Sequence, residues 1–188
     1  MKEIKFNFSW VQLLWATAGI SLFTASLIVV NVPDGGLVPV AYKLGLAMLI
    51  AGVTNLAVYV IKGKQLHGSG WLLADGMCTA CLSMFPLFNQ MIIPAIIPFF
   101  FGVWELFSGI LKVIEAKELR EEKISGWRWF LTIGSIELLS GVLSLFKPVD
   151  ELVGINHVIA IILLVQSSGF LFKIAAYPHL IEKNKQRN

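Results

Sequence analysis

Charge is what this sequence has least of. Only 14% of its 188 residues are Asp, Glu, Lys or Arg, against about 25% in soluble domains. No charged side chain occurs in residues 6–33, 44–61, 76–104 or 152–172. A helix on a soluble surface must show a polar face. Most helices drawn from these runs are apolar all round, which speaks against a soluble bundle. A spanning helix takes roughly 20 mostly apolar residues, and each run is long enough for one.

Cysteine is nearly absent as well. Cys78 and Cys81 alone cannot make a disulfide framework or a zinc site. Their C-x-x-C spacing would suit redox work only at an accessible helix N-terminus. Here it lies inside an apolar run, so the pair reads as small packing residues. The net charge of +3 offers no basic stripe, which argues against a nucleic-acid partner. A phosphate loop, a nucleophile elbow, an HExxH pair and a dinucleotide fingerprint are all missing. The expectation is a protein that is not an enzyme, with no catalytic, cofactor-binding or metal-ligating residues.

What is there instead is hydrophobic: 56% of the residues, with a mean hydropathy of +0.76. Turn clusters divide the chain into six predicted spans at 9–31, 38–61, 71–89, 92–114, 127–147 and 153–176. The first is longer than the apolar core of a cleaved signal peptide and is expected to stay as a span. Trp10, Trp15, Trp71, Trp127, Trp129, Tyr59 and Tyr177 fall near span ends, where amphipathic rings prefer to lie; Trp104 falls deep in the fourth. Thirteen Lys and Arg residues lie on the N-terminal side, and only Lys43 and Lys147 on the other. By the positive-inside rule both termini are expected in the cytoplasm, with the chain in a bacterial inner membrane. The basic tail, 178–188, is suited to anionic lipid.

The chain also repeats itself. At an offset of 57, Gly45 falls on Gly102, Gly52 on Gly109, Gly19 on Gly76 and Ser26 on Ser83. At 58, Trp71 meets Trp129, Gly76 meets Gly134 and Ser83 meets Gly141. At 60, Ser108 and Gly109 meet Ser168 and Gly169. The expected fold is therefore an all-α membrane protein, one domain over 1–188. Its six transmembrane helices would form three tandem helical hairpins at 9–61, 71–114 and 127–176.

Three hairpins, a Trp entering odd helices, glycines seven apart and a Pro at an outer turn resemble the HdeD family of multi-pass bacterial inner-membrane proteins. The resemblance covers about residues 10–177. The best-matching stretch is GWRWFLTIGSIELLSGVLSLFKP, 126–148. The chain departs from the pattern at Gln90, where the turn Pro would fall, and at Ser26 and Ser83, where a second Gly would. The resemblance implies a role in acid or envelope stress tolerance. It carries over no catalytic residue.

Against this background, Glu105 and Glu137 stand out. Glycines seven apart share a helix face, and small residues there let membrane helices approach closely. Gly102, Glu105, Gly109 and Lys112 form one such stripe, and Gly134, Glu137 and Gly141 another. Gly45, Gly52, Asn55 and Tyr59 align on the second span, Gly19 and Ser26 on the first, and Gln166, Gly169 and Lys173 on the sixth. The carboxyl groups should therefore face protein, not lipid. Three roles are open. They can bond helices four and five together. They can form a proton site or relay with Asp75, the core of a small proton-linked transporter or channel. Or they can contact a headgroup or small ligand in a central cleft. The repeat sets Glu105 against Met48 and Val165, and Glu137 against Thr79 and Leu22, which excludes a three-fold carboxyl ring and places any site between the second and third hairpins. Lys43 and Lys173, near span ends, are expected to snorkel to headgroups. His157, on the outer side, is positioned to sense low pH. The expected partners are the lipid bilayer and either a second copy or another membrane protein.

Overall fold

The computed structural model describes residues 9–31, 37–88, 96–145 and 154–182. They form six α-helices: α1 (Trp10–Val30), α2 (Leu37–Lys62), α3 (Ser69–Phe88), α4 (Ile96–Glu121), α5 (Trp127–Ser144) and α6 (Ile155–Glu182). A short 3-10 turn, Gly63–Gln65, leads from α2 towards α3. Several expectations rest on residues outside this set: Lys2 and Lys5, the turn residues Pro33, Asp34, Gln90, Lys147, Pro148, Asp150 and Glu151, and the tail beyond Glu182.

Local chemistry explains where the helices begin and end. The Ser9 N–H donates to Gln12 Oε1 at 3.1 Å, satisfying a donor at the start of α1. α4 continues past its predicted end at 114 because Ala116 and Leu119 are buried. It closes in a Schellman turn, with Lys123 N–H on the Arg120 carbonyl at 3.1 Å and Ile124 N–H on the Leu119 carbonyl at 2.9 Å. Lys123 adopts the left-handed φ of 57° that glycine usually supplies. α6 runs through Pro178 instead of stopping at 176. Proline leaves the carbonyl four residues earlier without its helix donor, and that carbonyl, on Ile174, accepts from Gln12 Nε2 of α1 at 3.2 Å.

The closest packing joins α4 to α5, α2 to α3 and α1 to α6. These pairs link neighbouring predicted hairpins, and the first helix to the last, instead of the two arms of one hairpin. Glycine makes two of the pairs possible. A Cβ on Gly109 would lie 2.8 Å from the Leu138 N and 2.9 Å from the Gly134 carbonyl oxygen, and one on Gly102 would overlap Ser144 Oγ. Gly134 and Gly141 answer from the other helix, so α4 and α5 meet backbone to backbone and run antiparallel. On α2, a Cβ at Gly52 would lie 2.6 Å from the Ala80 N, and one at Gly45 would press on Pro86 and Leu87 of α3. Contact at Gly19 is looser, 3.3 Å to Phe170 Cβ. The α1–α6 pair is fastened by serine instead: Ser26 Oγ donates to the Ala160 carbonyl and Ser167 Oγ to that of Gly19.

The bundle is apolar outside and charged within. Trp10, Ile20, Val60, Phe88, Leu139 and Leu171 are exposed, while Glu105, Glu137, Lys112 and Lys173 are buried. An apolar surface this wide is unsustainable in water and ordinary against hydrocarbon. α1, α3, α6 and the stretch Ala41–Gln65, which holds most of α2, are long and apolar enough to cross a membrane. α4 and α5 carry the buried Glu105, Lys112, Glu115 and Glu137, while Asp75 lies on α3 and Lys173 on α6.

Candidate functional site

The site begins with two charged side chains that the α4–α5 contact traps. Lys112 Nζ donates to Glu137 Oε2 at 2.7 Å and lies 2.6 Å from Oε1. The ammonium has two further acceptors, Ser108 Oγ at 2.6 Å and Gln166 Oε1 at 3.4 Å. Its three protons therefore all have somewhere to go. Glu137 is fully buried. An ion pair so placed loses its hydration, and its attraction offsets that loss only when the remaining valences are met.

Gln166 of α6 joins this pair to Glu105. Its Oε1 faces Lys112, and its Nε2 donates to Glu105 Oε2 at 3.0 Å. Ser140 of α5 stands at the other Glu105 oxygen, 2.9 Å from Oε1, and also 3.1 Å from the Glu137 carbonyl oxygen. A second limb runs towards α3. Asp75 Oδ2 accepts from Asn55 Nδ2 of α2 at 2.7 Å and from Lys173 Nζ of α6 at 3.3 Å. Asp75 Oδ1 accepts from Ser108 Oγ at 3.3 Å, which links the limb to Lys112. Beside it, Trp104 Nε1 donates to Thr79 Oγ1 at 3.0 Å, so the ring deep in the fourth span is anchored to α3.

The structure thus brings together Glu105, Glu137 and Asp75, the three carboxyl residues named from the sequence. It revises two expectations. Lys173 does not snorkel to a headgroup: it is buried and paired with Asp75. The site is not confined to the second and third hairpins either, because Asn55 comes from the first. Trp15 and Tyr177, near span ends, are buried against each other, edge to face at 5.8 Å. His157 N–H bonds the Gly154 carbonyl and is remote from the network. Asn55, Lys112, Gln166 and Lys173 stood on the glycine-bearing faces, and that was their signal. Ser108 stood out only as a repeat partner of Ser168, and Ser140 had no signal, since serine in a membrane helix commonly bonds its own backbone.

Two stretches of the chain, residues 17–88 and 74–146, match the short repeat of unknown function known as DUF308. The chain belongs to the DUF308 family. The two DUF308 copies begin 57 residues apart, at 17 and 74, the offset at which Gly45 and Gly52 recur as Gly102 and Gly109. No curated protein matches the chain, and no solved structure does. The glycines that recur at this offset fix how closely the helices approach. The charged residues of the network differ between copies: Glu105 has Met48 at the equivalent place.

Gly169 lies where α6 meets the network on α4 and α5. A Cβ there would sit 3.4 Å from Lys112 Cε and 3.5 Å from Glu137 Oε1, which is ordinary contact. Gly169→Ala should therefore keep wild-type thermal stability in detergent, since alanine favours the helix by up to about 1 kcal/mol. Gly169→Val should lose about 1–3 kcal/mol by overpacking the ion pair. Equal stability of the two variants would show that the pair does not fill this space.

Proposed function

We propose that this chain is a non-enzymatic membrane protein of the HdeD type. It crosses a bacterial inner membrane six times, with both termini in the cytoplasm, and its buried network takes up and releases one proton in support of acid or envelope stress tolerance. The hairpin spacing, the positive-inside bias and the inverted distribution of polarity support the topology. One observation carries the proton reading: the network holds three carboxyl groups, Asp75, Glu105 and Glu137, but two ammonium groups, Lys112 and Lys173. Asp75 and Glu137 each face a lysine at ion-pair distance, and Glu105 is left with a hydroxyl and an amide.

The hydroxyl supports a way for a proton to come and go without moving a helix. Ser140 has one proton and two acceptors within reach. With Glu105 ionised, that proton points to Glu105 Oε1. With Glu105 neutral, Oε1–H donates to Ser140 Oγ and the serine turns its proton to the Glu137 carbonyl. One proton gained changes the network from singly negative to neutral, and one hydroxyl rotates.

Glu105→Gln tests this, because the amide keeps the shape and the contacts with Ser140 and Gln166. Acid titration of the purified protein should count one proton fewer per chain than wild type, and cells relying on the variant should survive acid less well. An unchanged proton count in a folded variant would leave the network as helix bonding alone. A proton-linked transporter or channel built on Glu105 and Glu137 is separated from this reading by flux: vesicles holding it would dissipate a pH gradient, whereas a proton-binding protein leaves the gradient standing.

A further inference from the structure

The proton reading leaves open how solvent reaches so buried a network. The answer lies where the start of α1, the turn before α3, the end of α4 and the end of α6 converge. A cavity of about 10 Å³ opens there, lined by Trp15, His67, Gly68, Leu72, Glu115 and Lys173 among others. That is room for about one water molecule. Two buried polar atoms on its lining residues, Trp15 Nε1 and His67 Nε2, have no hydrogen-bond partner among the described residues. The Trp15 side chain is 2% exposed, so its N–H is well removed from bulk solvent. A single water between an indole donor, an imidazole nitrogen, a carboxyl group and an ammonium group would have the two to four polar partners that buried water needs.

The cavity lies between solvent and the network. On one side, His67 Nδ1 contacts Glu122, whose side chain is 34% exposed. On the other, Lys173 lines the cavity and donates to Asp75, the start of the network's second limb. Glu115 stands against the turn: a Cβ on Gly68 would lie 2.9 Å from Glu115 Oε1. Only glycine suits that place, because Gly68 also has a φ of 70°.

We propose that this cavity is a water site and the proton port of the network on the N-terminal face, with Glu115 as its proton acceptor. The inference rests on the proton reading above. In the step itself, a hydronium ion gives its proton to the Glu115 carboxylate, leaving a neutral carboxyl group and a water. Glu115 lies one residue beyond the predicted fourth span. Burial raises its carboxyl to about 7; Lys173 opposes the rise, Asp75 adds to it, Lys112 opposes it and Glu118 adds to it. Lys173 of α6, Asp75 of α3, Lys112 and Glu118 of α4 and His67 of the turn are charged and titratable groups around it among the described residues. A change of charge at Glu115 is therefore felt at both lysines and at Asp75, which places the port in electrostatic contact with the site it serves.

Infrared difference spectroscopy on the full protein in lipid nanodiscs, stepped across neutral pH, tests the port directly. A carboxyl C=O band should appear on the acid side, vanish in Glu115→Gln and shift in frequency in Trp15→Phe, which keeps an aromatic ring beside Tyr177 but removes the indole N–H. Stopped-flow proton uptake should be at least tenfold slower in Leu72→Phe, which fills the cavity, with the total count unchanged. A band that survives Glu115→Gln, or an uptake rate indifferent to Leu72→Phe, overturns the port. Glu105→Gln separates the two ideas. If it leaves the total count unchanged while the Glu115 band titrates, the Glu105 reading fails and the port as a hydrated acceptor stands. If it lowers the count while no Glu115 band appears, the port fails and the Glu105 reading stands.

Discussion

Lys112→Met should destabilise the protein by about 3–5 kcal/mol, and Lys112→Met with Glu137→Met should recover most of that loss. The single change leaves the fully buried Glu137 carboxylate without its cation. Among the described residues nothing else in contact replaces the ammonium: Ser140 bonds the Glu137 backbone and not its carboxylate, and Lys173 is engaged by Asp75. Ser108 Oγ and Gln166 Oε1 lose a donor at the same time. The double change removes both charges and their hydration together, and well-packed apolar side chains often match a buried ion pair in stability. Thermal unfolding in detergent, measured for wild type, both singles and the double, gives the coupling energy of the pair. Additive singles and double would mean that Lys112 and Glu137 do not interact, against their 2.7 Å contact. The same cycle bears on function. If the double variant is stable but tolerates acid no worse than wild type, the ion pair supports the architecture while the proton chemistry resides at Glu105.

How much of this was legible in the chain depends on the physics behind each feature. Helix positions were, because runs such as 6–33 admit little else and turn residues punctuate them. The inward aim of Glu105 and Glu137 was too, because glycines three or four residues away mark the packed face of the same helix. The choice of partner helix was not. Gly19 and Gly45 announce a contact but not which helix supplies it, so the pairing of α1 with α6, across nearly the whole chain, came only from three dimensions. Lys173 was misjudged for a related reason. Snorkelling is inferred from distance to a span end, and it ignores a carboxyl group such as Asp75 on a facing helix. A position near a span end likewise does not show that the Trp15 ring packs edge to face on Tyr177. The continuation of α4 beyond 114 was not legible either: charged residues crowd that stretch, and only the burial of Ala116 and Leu119 shows that it packs.

The second large effect concerns the backbone. Gly109→Ala should lower stability by about 1–3 kcal/mol, although alanine is the better helix former by up to about 1 kcal/mol. The reason is the identity of the neighbours. The added methyl would meet the Leu138 N at 2.8 Å and the Gly134 carbonyl oxygen at 2.9 Å, and neither can rotate away as a flexible side chain would. α4 and α5 must separate, and separation lengthens the contact that holds Lys112 against Glu137 and Ser140 against Glu105. Gly109→Leu should prevent the pair from forming and leave little folded protein. Gly70 provides the control, because a Cβ there meets nothing within 4 Å; Gly70→Ala should be neutral or slightly stabilising. Heating each variant in detergent and following the monodisperse fraction orders them. Gly109→Ala as stable as Gly70→Ala would mean that the α4–α5 backbones do not approach so closely. A Gly109→Ala protein that is folded but less stable should also take up its proton with altered affinity, since the charges of the network are held in place by the helix contact that this glycine permits.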